Sequence, residues 1–127
     1  MFRDGEIVAV FDWDMASLAG AETDLAWWIT TTSENEQPSG FGNARQTVEL
    51  WERLAGRTVR HMRWHMALIA FELANIFIRL PKLLHKQRLI DDAGLAAYLA
   101  HPGGRLASIL ELPWHGPAPP PPPRWDD

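Results

Sequence analysis

The chain has 127 residues with a formal net charge of −4; 46% are hydrophobic, 22% are charged, and none is cysteine. This length allows one domain at most. The composition excludes wholesale disorder, the acidic balance argues against nucleic-acid binding by phosphate neutralisation, and the lack of cysteine removes disulfides, thiolate metal sites and cysteine nucleophiles.

The first element reads as β. Asp4-Gly5 is a hairpin turn signal, and Ile7-Val8-Ala9-Val10-Phe11 is a β-branched run that predicts a buried strand. Only Met1-Phe2-Arg3 precedes the turn. The expected hairpin, residues 1–12, is therefore cut short, as if the chain began inside a larger fold. The opening residues carry two carboxylates and no apolar core, so no secretory signal is expected.

Beyond Phe11 the pattern turns helical. After a small-residue loop over residues 17–21, Thr23 is placed to cap a helix through Asp24-Leu25-Ala26-Trp27-Trp28-Ile29. Residues 33–42 read as a loop. Asn43 caps the next helix, residues 44–54, with Val48, Trp51 and Leu54 on its inner face and Ala55-Gly56 ending it. A longer helix starts near Thr58. Met66, Ile69, Ala70, Leu73, Phe77 and Leu80 recur at i, i+3, i+4, i+7, with Leu68, Phe71, Ile76 and Ile78 beside them, which predicts a central, mostly buried helix. Pro81 should break or kink it. Asp91 or Asp92 caps a short helix ending near Ala100, and residues 105–110 form a last helical turn or two. Residues 66–80 contain Glu72, Asn75 and Arg79 and fall short of the roughly 20 apolar residues that span a bilayer. No membrane contact is expected, and the location is expected to be cytoplasmic. The fold class is thus mainly α with a short N-terminal β-hairpin over residues 1–112. A Pro-rich, disordered tail, residues 113–127, follows, with the run 119–123 favouring polyproline II.

Ile7-Val8-Ala9-Val10-Phe11-Asp12-Trp13-Asp14-Met15-Ala16, followed by Asp24-Leu25-Ala26-Trp27, resembles the aminoglycoside phosphotransferase / choline kinase-like family. The family pattern is a hydrophobic strand, an Asp-Trp-Glu-type motif, a small-residue loop and Asp-Leu-Ala opening a helix. The Arg-Asp-Gly turn and the long helix over residues 63–80 fit as well. The resemblance covers roughly residues 1–100 and is specific in the first thirty. It implies a partial protein-kinase-like C-terminal lobe, from an enzyme that transfers the γ-phosphate of ATP to the hydroxyl of a small molecule. The family's nucleotide lobe, its lysine and its His-Gly-Asp catalytic loop would lie before Met1, and no His-Gly-Asp occurs in this chain. Two departures stand inside the matched region: Asp14 where Glu is usual, and Ala19-Gly20-Ala21 where Gly-Asp-Pro is common.

By this resemblance Asp12 is the metal-binding Asp at the end of the strand. A hard carboxylate there suits Mg²⁺ against nucleotide phosphates. The alternative is a turn Asp. Asp14 is read equally as a supporting hydrogen-bond acceptor or as a loop residue. Asp24 would hold the catalytic loop in the parent enzyme; in this chain a first-turn Asp favoured by the helix dipole is the preferred reading. The parent enzyme would use Mg²⁺ and ATP, whereas this chain alone is expected to bind neither and to be inactive. Trp13, Trp27 and Trp28 are expected to be packing residues. His61 and His65 stand four apart on a helix, but the neighbouring Glu of a zinc site is missing and Arg60 and Arg63 oppose a cation, so helix-surface histidines are expected. Glu72, Asn75 and Arg79 read as a solvated or internally paired stripe rather than a cleft wall. The rival to the enzyme-fragment reading is a non-catalytic helical module that self-associates or pairs with a complementing chain through apolar surface around Val8, Val10, Trp13 and Trp27.

Overall fold

The computed structural model describes residues 1–16, 18–31, 40 and 42–118. Most of the expected 33–42 loop and the proline run 119–123 lie outside them. The described chain is mainly helical with a short antiparallel N-terminal hairpin.

Strands β1 (Phe2–Arg3) and β2 (Glu6–Ile7) pair Phe2 with Ile7 and Arg3 with Glu6. Asp4 and Gly5 both take positive φ, 52° and 84°, as a two-residue hairpin turn with the right twist requires. Val8 N–H donates to the Met1 carbonyl at 3.0 Å, and the Met1 amino group donates to the Ala9 carbonyl at 2.8 Å. The expected buried strand over residues 7–11 is corrected here. The ladder ends at Ile7, and Ile7, Val8, Val10 and Phe11 are all exposed. Their branched side chains favour extended backbone, but burial needs a second layer, and no described element packs on this two-stranded ribbon.

Helix α1 (Glu22–Thr31) starts earlier than expected, and Thr23 is inside it rather than capping it. Gly20, at φ 103°, turns the chain; its carbonyl accepts from Thr23 N–H at 3.1 Å and that of Ala21 from Asp24 N–H at 3.2 Å. Helix α2 (Ala44–Ala55) matches its expected bounds to within a residue. Asn43 and Gln46 form a reciprocal capping box, and Gly56 closes the helix in the left-handed conformation. Val48 is buried and Trp51 half-buried, but Leu54 points to solvent.

Helix α3 (Met62–Lys86) continues past Pro81, so the expected break is absent. The proline costs one amide donor, but its ring is fully buried, and that burial offsets the loss. The expected burial along the whole helix holds only for its first half. Met62, His65, Met66, Ile69, Ala70 and Ala74 are buried, whereas Phe71, Ile76, Phe77, Ile78, Leu80 and Leu83 are exposed. Helices α4 (Asp92–Leu99) and α5 (Gly104–Leu110) pack back on α3, α4 capped by Asp91 as expected. Arg63 Nε donates to the Ile109 carbonyl at 3.0 Å, pinning α5 to the start of α3. Contacts continue past residue 112: Trp114 lies against Gly103 and donates to the Pro117 carbonyl at 2.8 Å.

The core is one cluster: Leu25, Ala26 and Ile29 of α1, Val48 of α2, Met62, Met66, Ile69 and Ala70 of α3, and Ile109 of α5. Ile69→Ala should therefore cost about 2–5 kcal/mol in urea denaturation. Leu54→Ala, equally apolar in sequence, should change stability by less than about 0.5 kcal/mol.

Candidate functional site

Asp12 ends the extended segment and takes the left-handed conformation, φ 65° and ψ 61°. Aspartate tolerates this region better than most residues, and Asp4, His61, Arg88 and Glu111 take positive φ as well. A single 3₁₀ turn, Trp13–Met15, follows, with Ala16 N–H donating to the Trp13 carbonyl at 3.0 Å. Trp13 reaches back to donate to the Val10 carbonyl at 3.1 Å. It is 68% exposed, so the expected packing role fails for Trp13 and holds for the half-buried Trp27 and Trp28, which rest on the core.

These elements form one wall of a cleft of about 720 Å³; α1 and α3 form the other. Asp12, Asp24 and Glu72 all line it, with Thr23, Trp27 and Ile69. Asp12 and Asp24 are exposed and Glu72 is half-buried. Asp24 stands in the first turn of α1, where a negative charge is favoured by the helix dipole. Asp14 lies in the 3₁₀ turn and does not line the cleft. Of the expected polar stripe, Glu72 faces this cleft, correcting its reading as a solvated residue, while Asn75 and Arg79 are exposed and Asn75 bonds to the Phe71 carbonyl at 2.8 Å.

Among the described residues no three His, Cys, Asp or Glu side chains come together closely enough to hold an ion. Asp12, Asp24 and Glu72 therefore line the cleft without gathering into one ligand cluster. A carboxylate such as that of Asp12 is a hard oxygen donor of the kind that would suit Mg²⁺.

A polar knot fixes the floor beside the cleft. Glu22 is buried and pairs with Arg57 through both carboxylate oxygens, at 3.1 and 3.3 Å, and Arg57 stacks 5.0 Å over Trp51. Next to it, Thr23 Oγ1 and His65 Nδ1 share a buried hydrogen bond at 3.0 Å. The expectation of two helix-surface histidines is corrected for His65. It is buried and partnered, while His61 caps α3 in the left-handed conformation and stays exposed. The sequence carries little signal for this knot, because Thr23 reads as a cap and nothing in the local pattern marks Glu22 as the partner of Arg57.

Comparison with known proteins gives no matching family model, no matching curated protein and no matching solved structure.

Burial lowers the His65 pKa from its ordinary 6.5; Glu22 opposes that shift and His61 adds to it. The unfolded chain therefore takes up a proton at this site before the folded chain does. Stability should be complete above pH 6.5 and fall as pH drops from 6.5 toward the lower folded value. His65→Gln should flatten that part of a stability profile measured by urea denaturation.

Proposed function

We propose that this chain is the C-terminal part of an ATP-dependent phosphotransferase of the aminoglycoside phosphotransferase / choline kinase type, acting on a small-molecule hydroxyl in a cytoplasmic setting. The supporting observation is Asp12. It is a left-handed aspartate at the end of an extended segment, presented on an open cleft that also receives Asp24 and Glu72. The resemblance of residues 7–16 and 24–27 to the family's strand, Asp-Trp-Glu-type motif and Asp-Leu-Ala helix supplies the rest. The helical part would correspond to a kinase-like C-terminal lobe.

In the parent enzyme Asp12 would hold Mg²⁺, which neutralises nucleotide phosphate charge during transfer. Asp24, in the first turn of α1, would anchor the backbone of the loop that carries the base. Glu72 would set the charge of the facing wall. Catalysis of this kind is nearly all positioning and electrostatics. A chain with one magnesium ligand, no base and no nucleotide clamp should show no turnover. Incubation with ATP, Mg²⁺ and aminoglycosides, choline-like alcohols or sugars should give no phosphorylated product, and product at any appreciable rate would overturn the inactivity. Joined to a nucleotide lobe and His-Gly-Asp loop encoded upstream, the chain should become active, and Asp12→Asn should then lower kcat by about a hundredfold or more. Equal activity of that variant would remove Asp12 from the site.

A second reading is favoured by a separate observation. Val10, Phe11 and Trp13 are 62%, 65% and 68% exposed in consecutive reach of one another, and soluble monomers rarely leave such continuous apolar surface open. The hairpin and following segment would then be an assembly surface for a complementing chain or a second copy. Sedimentation across a concentration series separates the two. Concentration-dependent association that is lost in Phe11→Ser/Trp13→Ser supports assembly, and a monodisperse monomer throughout rejects it.

A further inference from the structure

A second cavity, of about 590 Å³, lies where α1, α3, α4 and α5 meet, and shares no lining residue with the Asp12 cleft. Its volume is within the range of about 300–1,000 Å³ usual for small-molecule sites. The walls are largely apolar, with Leu73 and Phe77 of α3 and Tyr98 of α4. Two basic side chains, His101 and Arg105, converge on it, and no carboxylate lines it.

Arg105 carries the chemical specificity. It is half-buried, burial lowers its pKa from the ordinary value, and no described carboxylate lies within ion-pair distance of it. An arginine keeps its proton under such conditions, so this is a desolvated cation without a counter-charge. Thr30 lies on the α1 side, its hydroxyl oxygen closed off beneath the wall. It is 4% exposed, lines the same cavity, and its hydroxyl has no hydrogen-bond partner. An apolar cavity with an unpaired guanidinium at its edge is complementary to one class of molecule and repels its cationic analogue.

We propose that this cavity binds a small amphipathic carboxylate, with its apolar body against Leu73, Phe77 and Tyr98 and its charge on Arg105 and His101. The assignment stands apart from the phosphotransferase reading, since it uses neither Asp12 nor a metal. The test is isothermal titration of the full chain with three ten-carbon probes: decanoate, decanol and decylammonium. Decanoate should bind saturably, decanol about tenfold more weakly, and the ammonium compound not at all, the gap being that of a charge-assisted contact. Arg105→Met should reduce decanoate binding to the level of decanol, and Arg105→Lys should restore most of it. Ala97 is exposed on α4 and lines the cavity, so Ala97→Trp should fill the space and abolish binding of both without disturbing the core. Circular dichroism melting establishes that each variant is folded, and the three-probe comparison on the unaltered chain decides even if one is not. The proposal is overturned if decanoate fails to saturate, if the ammonium compound binds as tightly, or if folded Arg105→Met and Ala97→Trp bind as the parent does.

Discussion

Leu25, Ala26 and Ile29 share one buried cluster with Met62, Met66, Ile69 and Ala70, and the rest of the molecule is arranged around that α1–α3 seam. Both cavities are cut along it. Trp27 and Ile69 belong to the Asp12 cleft, and Thr30 and Ala70 to the cavity at Arg105. Periodicity decides which side is which. On α3, Ile69 and Glu72 fall on one flank of the seam and Ala70, Leu73 and Phe77 on the other; on α1 the split runs along the axis, with Asp24 and Trp27 nearer its start and Thr30 and Thr31 at its end. Loosening the seam would deform both sites together, and each site alone can be altered by residues outside it.

The Glu22–Arg57 and Thr23–His65 pairs set the register of that seam. Hydrophobic burial is non-directional and would let α1 slide on α3. Two adjacent polar pairs, one between α1 and the α2–α3 connection and one between α1 and α3, have a single arrangement that leaves no buried donor or acceptor unmet. They sit at the start of α1, directly after Gly20, and so hold the segment carrying Asp12 at the mouth of its cleft. A structural pair of this kind also accounts for the burial of His65, which the sequence places on a helix surface.

Much of this was readable in the residues, and the failures have common causes. Local chemistry carried the Asp4-Gly5 turn, the Asn43 and Gly56 caps and the Asp91 cap, because each is settled within four residues. Burial was read less well. Residues 7–11 and the second half of α3 have the composition of a core, yet stay exposed because nothing described covers them. Pro81 was expected to break a helix that tertiary packing carries past it. Asp12 and Asp24 could be singled out from their motif. That Glu72 faces the same cleft depends on how α3 is rotated against α1, which no local pattern specifies. The Thr23–His65 pair, joining residues 42 apart, was hidden for the same reason.

Under the phosphotransferase reading proposed above, the exposed apolar run and Asp12 at its end would share one explanation: a further layer of protein that would cover the first and supply ligands beside the second. The most direct test is to sequence the DNA immediately 5′ of the Met1 codon. The account predicts an open frame encoding His-Gly-Asp, with an Asn about five residues after that Asp, shortly before Met1. An in-frame stop codon with no such stretch upstream would contradict it.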